Sequence, residues 1–403
     1  MFSTAPTTAG FARTIKTMKI NIKRYKSVQI IILLFSLALF ALSIFQTLSI
    51  IIPKIYQNNL TDFMVYWQAT EKFQQEKNVY DFFYSNPPTA FNYPPSFLLI
   101  FSLLKIFPLK TAQILLLIFS YLFFWLGLYL VIRIAKIKVS LPHLLIILSL
   151  FNQTFPVKFT LVLGQINMIV LGLTYTSLYF YQKTKKISSA ILLSLSGALK
   201  IFPLSVLLLF FLMKDYFFVG FVLLLFLSLN LLPSFSLFKT YFFKTSINLT
   251  DVNIKPSFYD QSITAFLSRL FQQPLLVKCL ALIITVSILF LIIRDFFKRR
   301  NLIVSFSLIM ALTAIANTFS WQHHLVLSYP LILLTYLRQT RKNKLVYPLM
   351  LIFWLLLVFH FPDEKSALLN NPFIASYQTI IILALIGYNI FSIKKRQVKH
   401  TCL

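Results

Sequence analysis

Acidic residues are scarce in this chain: ten Asp and Glu stand against 38 Lys and Arg in 403 residues, a formal net charge of +28. Cysteine is scarcer still. Cys279 lies inside an apolar run and Cys402 beside the C-terminus, which excludes a disulfide framework and a cysteine metal site. There are seven glycines, and neither a glycine-rich phosphate loop nor an Asp-x-Asp pair occurs, so no nucleotide-binding signature is present. A secretory signal peptide is not expected. The first apolar run is longer than a signal h-region, sits behind a basic segment and has no small-residue cleavage site after it.

Apolar side chains fill the space that charge leaves. Hydrophobic residues make up 58% of the chain and aromatic residues 17%, with 44 Phe and 19 Tyr. Long apolar runs at Val28–Ile52, Thr111–Ile132, Phe217–Leu232, Leu276–Ile293, Tyr347–Phe361 and Thr379–Ile393 read as membrane spans. The expected fold is an all-α polytopic integral membrane protein with about 11–13 transmembrane helices, some short or re-entrant. A single transmembrane domain occupies 28–393, between a basic N-terminal segment, 1–27, and a basic tail, 394–403. Basic residues of such a protein gather in cytoplasmic loops, so the charge is not a nucleic-acid signature.

That rule orients the chain. Arg13, Lys16, Lys19, Lys23, Arg24 and Lys26 place the N-terminus in the cytoplasm; Lys183 to Lys186, Lys214, Arg294 to Arg300, Arg338 to Lys344 and Lys394 to Lys399 follow on the same side. The outer side receives a first loop, 58–95, a long loop, 234–274, the turn at Ser320–His324 and the segment Pro362–Asn371. Of the ten acids only Asp215 and Asp295 then face inward. Between Pro94 and Gly164 the parity stays open: Phe97–Phe107 is short for a span, and one segment there must be re-entrant or lie along the interface. Ile187–Leu199 and Ile201–Met213 are short arms, roughly 20 Å of helix each, around Lys200-Ile-Phe-Pro203. Lys200 should sit at a turn near the outer lipid boundary, where a charge is tolerated if it lines a protein cavity.

The first loop holds four of the ten acids, Asp62, Glu71, Glu76 and Asp81. A carboxylate just beyond a span, in a chain so poor in acids, is the first place to look for chemistry. Asp62 also stands where an N-cap would, after Thr61 and before a helix-compatible stretch. Asp62 and Tyr66 are one helical turn apart, and Asn78-Val-Tyr80-Asp81 and Phe91-Asn-Tyr93-Pro94-Pro95 follow. Farther on come Gly164-Gln165-Ile-Asn167, Gly197-Ala-Leu-Lys200-Ile-Phe-Pro203, Asp260-Gln261-Ser262 with Arg269, and Asn317-Thr-Phe-Ser-Trp321-Gln-His323-His324.

In this order the five elements resemble glycosyltransferase family 87, within the C-type glycosyltransferase superfamily, which contains polyprenyl-phosphate-mannose-dependent mannosyltransferases. They span 62–324; the departure is the low glycine content, which leaves the polar positions intact. The resemblance implies a C-type (GT-C) fold, inversion at the anomeric carbon and no metal.

The residues support the same chemistry on their own terms. Sugar transfer in a membrane needs a base for an acceptor hydroxyl and cations for the phosphate of a lipid-linked donor. Asp62 fits the base, its pKa raised by partial burial. Lys200 and Arg269 fit the cations, against the plainer readings of a snorkelling lysine and a loop-end arginine. His323 and His324 are expected at the donor phosphate or sugar, and Trp321 beside them either there or in an interfacial aromatic belt. No third ligand is spaced to join the histidines around zinc. Tyr66, Tyr93, Asp81, Asp260, Gln261, Gln165 and Asn167 are the candidate substrate contacts, the last two equally able to bond between helices.

The expected partners are a polyprenyl-phosphate-sugar donor, a glycolipid or glycan acceptor and the bilayer; no cofactor and no nucleic acid are expected. A secondary transporter or lipid-linked sugar flippase would use the same spans, with Lys200 in its path, but two similar halves are not visible. A catalytically inactive assembly partner is a third possibility, opposed by the retained Asp62, Lys200, Arg269 and histidines.

Overall fold

The computed structural model describes residues 8–80, 91–245, 257–317, 320–339, 346–359 and 370–391. Asp81, Asp251, His360, Asp363, Glu364 and the tail 394–403 lie outside the described residues. Among the described residues the chain is helical, without a strand: α1 (Thr8–Tyr56), α2 (Thr61–Gln74), α3 (Pro95–Ser102), α4 (Leu109–Ile134), α5 (Leu141–Asn152), α6 (Phe155–Leu163), α7 (Asn167–Gln182), α8 (Lys186–Leu199) and α9 (Leu207–Leu212). Then follow α10 (Tyr216–Leu231), α11 (Phe235–Thr240), α12 (Ile263–Leu270), α13 (Pro274–Arg299), α14 (Leu302–Ala316), α15 (Tyr329–Gln339), α16 (Val346–Val358), α17 (Pro372–Ala375) and α18 (Tyr377–Phe391). The protein is an all-α polytopic membrane protein.

Three stretches, Ser27–Tyr56, Leu109–Ile134 and Pro274–Arg299, are long and apolar enough to cross a bilayer, or up to five if each of two bent helix pairs counts as one span. Other apolar helices, α8, α14 and α18 among them, have 10–17 residues and fall short of the ~30 Å hydrocarbon core as single straight rods. The expected span number therefore rests largely on short helices. The C-terminal end of α8 is buried, and polar side chains collect there around Lys200.

The chain forms two compact units. The first comprises 1–49 and 138–153. In it Asn152 Nδ2 donates to Ser43 Oγ at 3.2 Å and Gln153 Nε2 to the Ser43 carbonyl at 3.3 Å, tying α5 to α1. The second comprises 50–137 and 154–403 and holds every described candidate site residue.

Within the second unit, residues 95–107 pack against α2. Phe97 and Phe101 of α3 pack on Tyr66 of α2, with ring centres 4.8 and 5.5 Å away. The short turn after α3 brings Lys105 back to α2, 4.1 Å over the Trp67 ring and 3.7 Å from the Glu71 carboxylate. Lys110, opening α4, lies over Tyr56, the last residue of α1. Residues 95–107 thus lie against α2, and α4, which follows, is long and apolar enough to cross a bilayer.

Asp215 and Asp295, the two acids expected on the inner side, are each paired with a basic residue. Asp215 meets Lys186 at 2.7 Å and accepts from Tyr181 at 2.7 Å, while Asp295 meets Arg299 at 2.7 Å. Asp215 also caps α10 by accepting from the Phe218 N–H, as an N-cap carboxylate does.

Two short helical arms flank Lys200. α8 ends at Lys200, which is extended (φ −151°, ψ 134°), and a 3-10 turn from Phe202 to Val206 leads into α9. Pro203 supplies no N–H, which suits the break. The arms pack closely because Gly197 has no side chain: a Cβ there would lie 2.7 Å from Leu204 Cδ2.

Candidate active site

Asp62 lies in the first turn of α2, not at its cap. The residue before the helix is Leu60, and no side chain caps it. Instead the Asp62 carboxylate accepts a hydrogen bond from Gln165 Nε2. The turn after α6 makes this possible. Gly164 ends α6 in the left-handed region (φ 71°), and its α-carbon sits so close to α2 that a Cβ would come 2.7 Å from Phe63 Cβ. Glycine is the residue that this backbone and this approach allow.

Asp62 keeps partial solvent access, yet it is crowded by protein. Burial pushes its pKa up to about 6, opposed by the Gln165 hydrogen bond and by the positive charge of Lys200. A carboxyl poised near neutrality can take a proton at physiological pH.

Three tyrosines brace this corner. Tyr93 Oη donates to Gln165 Oε1 at 3.1 Å, so Tyr66 Oη, 2.7 Å away, must donate to Tyr93. The two rings meet edge to face, 4.9 Å apart at 82°. Tyr80 Oη donates to the Tyr93 carbonyl at 2.8 Å. Both Tyr66 and Tyr93 are buried, and their hydroxyls fix which way the Gln165 amide points.

Lys200 occupies the other side of Gln165. Its Nζ is 2.7 Å from Asn167 Oδ1, 3.0 Å from His324 Nε2 and 3.5 Å from Gln165 Oε1. As an ammonium it has three protons, and these are its three acceptors. His324 must then be unprotonated at Nε2 and carry its proton on Nδ1. Among the described residues, that Nδ1 is buried without a hydrogen-bond partner, as is Nδ1 of His323. A buried donor with no acceptor is costly unless something else fills the role.

Asn167 ties the cluster together. Its Oδ1 accepts from Lys200 while its Nδ2 donates to the His323 carbonyl at 3.0 Å, a carbonyl that Thr160 Oγ1 also reaches at 3.3 Å. Among the described residues Asp62 and Lys200 form no direct ion pair. One neutral amide separates the carboxylate from the ammonium.

Asp260, Gln261, Arg269 and Trp321 form a neighbouring cluster. Asp260 and Trp321 pair as an isolated antiparallel bridge, with Gln261 N–H donating to the Ser320 carbonyl at 2.7 Å and Gln322 N–H to the Tyr259 carbonyl at 2.9 Å. Asp260 Oδ1 accepts from the N–H groups of Ser262 and Ser320, each at 3.0 Å. Burial raises its pKa against these two bonds and the charge of Arg269. The Arg269 guanidinium donates to Ser376 Oγ at 2.7 Å and to the carbonyls of Ser257 and Asp260 at 2.7 and 2.9 Å. Gln261 Nε2 donates to the Phe258 and Ala375 carbonyls at 3.0 and 2.8 Å. This cluster ties Ser257–Arg269 to Ser320–Gln322 and to Ala375–Ser376, and it reaches the Lys200 cluster through Trp321–His324.

Two residues that the sequence did not single out join them. Tyr259 stacks on Trp321, 6.1 Å apart at 12°, and Phe159 stacks on Tyr259, 5.2 Å apart at 24°. Phe159 also lies 5.7 Å from the His323 ring. Position beside Asp260 pointed to Tyr259; nothing local marks Phe159. Asp81 lies outside the described residues. Among the described residues no three His, Cys, Asp or Glu side chains converge as metal ligands do.

A family model described as glycosyltransferase family 87 matches residues 91–320. The match takes in Tyr93, Gln165, Asn167, Lys200, Asp260, Gln261 and Arg269; Asp62 and Tyr66 precede it, and Trp321, His323 and His324 follow it. No curated protein matches the chain.

Proposed function

Starting from the fact that the chain belongs to glycosyltransferase family 87, and so is a membrane enzyme that transfers sugar, we propose that its donor is a polyprenyl-phosphate-linked hexose, mannose first among the candidates. The acceptor is a hydroxyl of an extracytoplasmic glycolipid or glycan. The observation that carries this reading is the chain Asp62–Gln165–Lys200–His324, which sets one carboxylate and one ammonium on either side of a single amide.

In this reading Asp62 is the base. It takes the proton of the acceptor hydroxyl as that oxygen bonds to the anomeric carbon. The bond from the anomeric carbon to the phosphate oxygen breaks on the opposite face, and its electron pair stays on the phosphate. The leaving group changes from a diester with one negative charge to a monoester with up to two. Lys200 meets that added charge where it develops, which is how preorganised cations accelerate such steps. The 3.5 Å contact to Gln165 is the weakest of its three and the first to yield to a phosphate oxygen. The Nδ1–H of His324 is a second donor awaiting an acceptor. Tyr66, Tyr93 and Asn167 hold these groups; Trp321 and Asp260 border the place where the sugars would lie. Arg269 makes three hydrogen bonds to protein with its five N–H groups and has donors left for the phosphate in this scheme. The site faces the outside, opposite the basic border.

The test is sugar transfer by the purified protein in lipid, with labelled polyprenyl-phosphate-mannose and an extract of host glycolipids. Wild type should form a labelled product. Asp62→Asn should bind donor and turn over slower by a factor of about 10²–10⁴. Equal rates in the two proteins would remove Asp62 from the role of base, and a donor that does not bind wild type would remove the polyprenyl-phosphate assignment.

A further inference from the structure

Lys200 is placed by the broken end of α8. Its own N–H makes the last turn's bond, to the Ser196 carbonyl at 3.0 Å. The carbonyls beyond have no partner within the helix, and in a membrane protein an unpaired buried carbonyl is costly. The Ala198 carbonyl, two residues before Lys200, finds one far away in the chain: Ser96 Oγ, at 2.9 Å.

Ser96 sits in the first turn of α3 and is itself held. Asn230 of α10 accepts from the Ser96 N–H at 3.3 Å and lies 2.8 Å from Ser96 Oγ, whose one proton is shared between Asn230 Oδ1 and the Ala198 carbonyl. The Asn230 amide is fixed in this sense because its Nδ2 donates to the Phe226 carbonyl at 2.8 Å. Both side chains are buried. Three helices meet at one polar contact, and the helix end it grips carries Lys200.

We propose that Ser96 and Asn230 are positioning residues of the sugar transfer: they clamp the open carbonyl end of α8 and so hold the Lys200 ammonium where the donor phosphate binds. The proposal rests on the reading of Lys200 as the phosphate-binding cation. Neither residue touches substrate. With the clamp absent, the Ala198 carbonyl would turn to another donor, the extended backbone at Lys200 would shift with it, and Lys200 would lose register with Asn167 and His324.

The test measures binding of undecaprenyl phosphate to the purified full-length protein in lipid nanodiscs, with the thermal midpoint of each variant recorded. Ser96→Ala should weaken binding about 5- to 10-fold and Asn230→Ala about threefold, as loss of one or two buried hydrogen bonds does. Ser96→Thr, which keeps the hydroxyl, should stay within about twofold of wild type. Lys200→Gln should weaken binding by about tenfold or more, and adding Ser96→Ala to it should cost nothing further, because residues acting through one group are not additive. Ser96→Ala binding as tightly as wild type, while Lys200→Gln does not, would overturn the clamp and leave the role of Lys200 standing. An undiminished Ser96→Ala loss in the Lys200→Gln background would make Ser96 structural only. Lys200→Gln binding as tightly as wild type would overturn the reading of Lys200 and the clamp with it.

Discussion

Asp62 and Gln165 are hydrogen-bonded, amide nitrogen to carboxylate, and the amide oxygen of Gln165 faces the Lys200 ammonium at 3.5 Å. Gln165 thus touches both groups assigned to the chemistry while carrying no charge. Its bond to Asp62 favours the ionised carboxylate and opposes the burial that pushes the pKa up to about 6. Gln165→Leu removes that bond, so the Asp62 pKa should rise and the acid limb of kcat/KM should move to higher pH. At pH 6.5 activity should fall by about tenfold and recover in part by pH 8. An acid limb that stays in place would show that the bond does not act on the base.

The raised pKa of Asp62 also has a consequence for stability. An unfolded aspartate titrates near 3.9, the folded one at about 6. Between these values the folded state holds more protons than the unfolded state, so the stability that Asp62 contributes is complete below about pH 4 and is lost as pH rises through about 6. Asp62→Asn cannot ionise. It should be more stable than wild type at pH 7.5 by about 1–2 kcal/mol, allowing for the solvent that still reaches this carboxyl. Near pH 4 the two proteins should melt alike. Thermal scans at the two pH values check this, and a variant less stable than wild type at pH 7.5 would contradict it.

Much of this site was legible because chemistry in a membrane is conspicuous: Lys200 beside a proline, two histidines after a tryptophan, an aspartate outside the first span. What the sequence could not show was partnership. Asp62 satisfied the local rule for a helix cap, and only the approach of the Gly164 turn shows that its carboxylate belongs to Gln165. The guanidinium of Arg269 meets a serine 107 residues away, and Ser96 meets a carbonyl 102 residues away. The packing of 95–107 on α2 was hidden for the same reason, since it depends on Lys105 finding Trp67 and Glu71. Apolar runs report burial along the chain, not which short helix returns.

Lys105 lies against α2 and Lys110 against the end of α1. We predict that both share a membrane face with Glu76, and that Arg133, at the far end of the long apolar α4, and Lys185 lie on the other. In a background of Cys279→Ala and Cys402→Ala, single cysteines at Glu76 and Lys110 should react with an impermeant maleimide from one side of sealed vesicles. Cysteines at Arg133 and Lys185 should react from the opposite side. Lys110 labelling from the side opposite Glu76 would mean that residues 95–107 cross the bilayer.

Gly164 offers a way to separate the two halves of the site. Alanine there must adopt φ 71°, which costs roughly 1–2 kcal/mol, and its Cβ would meet Phe63 Cβ at 2.7 Å and Leu60 Cβ at 3.3 Å. Relief of that clash pushes α2 away and takes Asp62 from Gln165. Lys200 keeps its contacts to Asn167 and His324, which come from α7 and the turn before α15 and do not involve α2. Gly164→Ala should therefore lower kcat by tenfold or more, about what an ångström of misplacement does to a base. Its affinity for polyprenyl phosphate should stay within about threefold of wild type, because the hydrogen bonds of the cation persist. Parallel kcat and binding measurements decide it: a loss of affinity as large as the loss of rate would mean that the Asp62 and Lys200 sides move as one body.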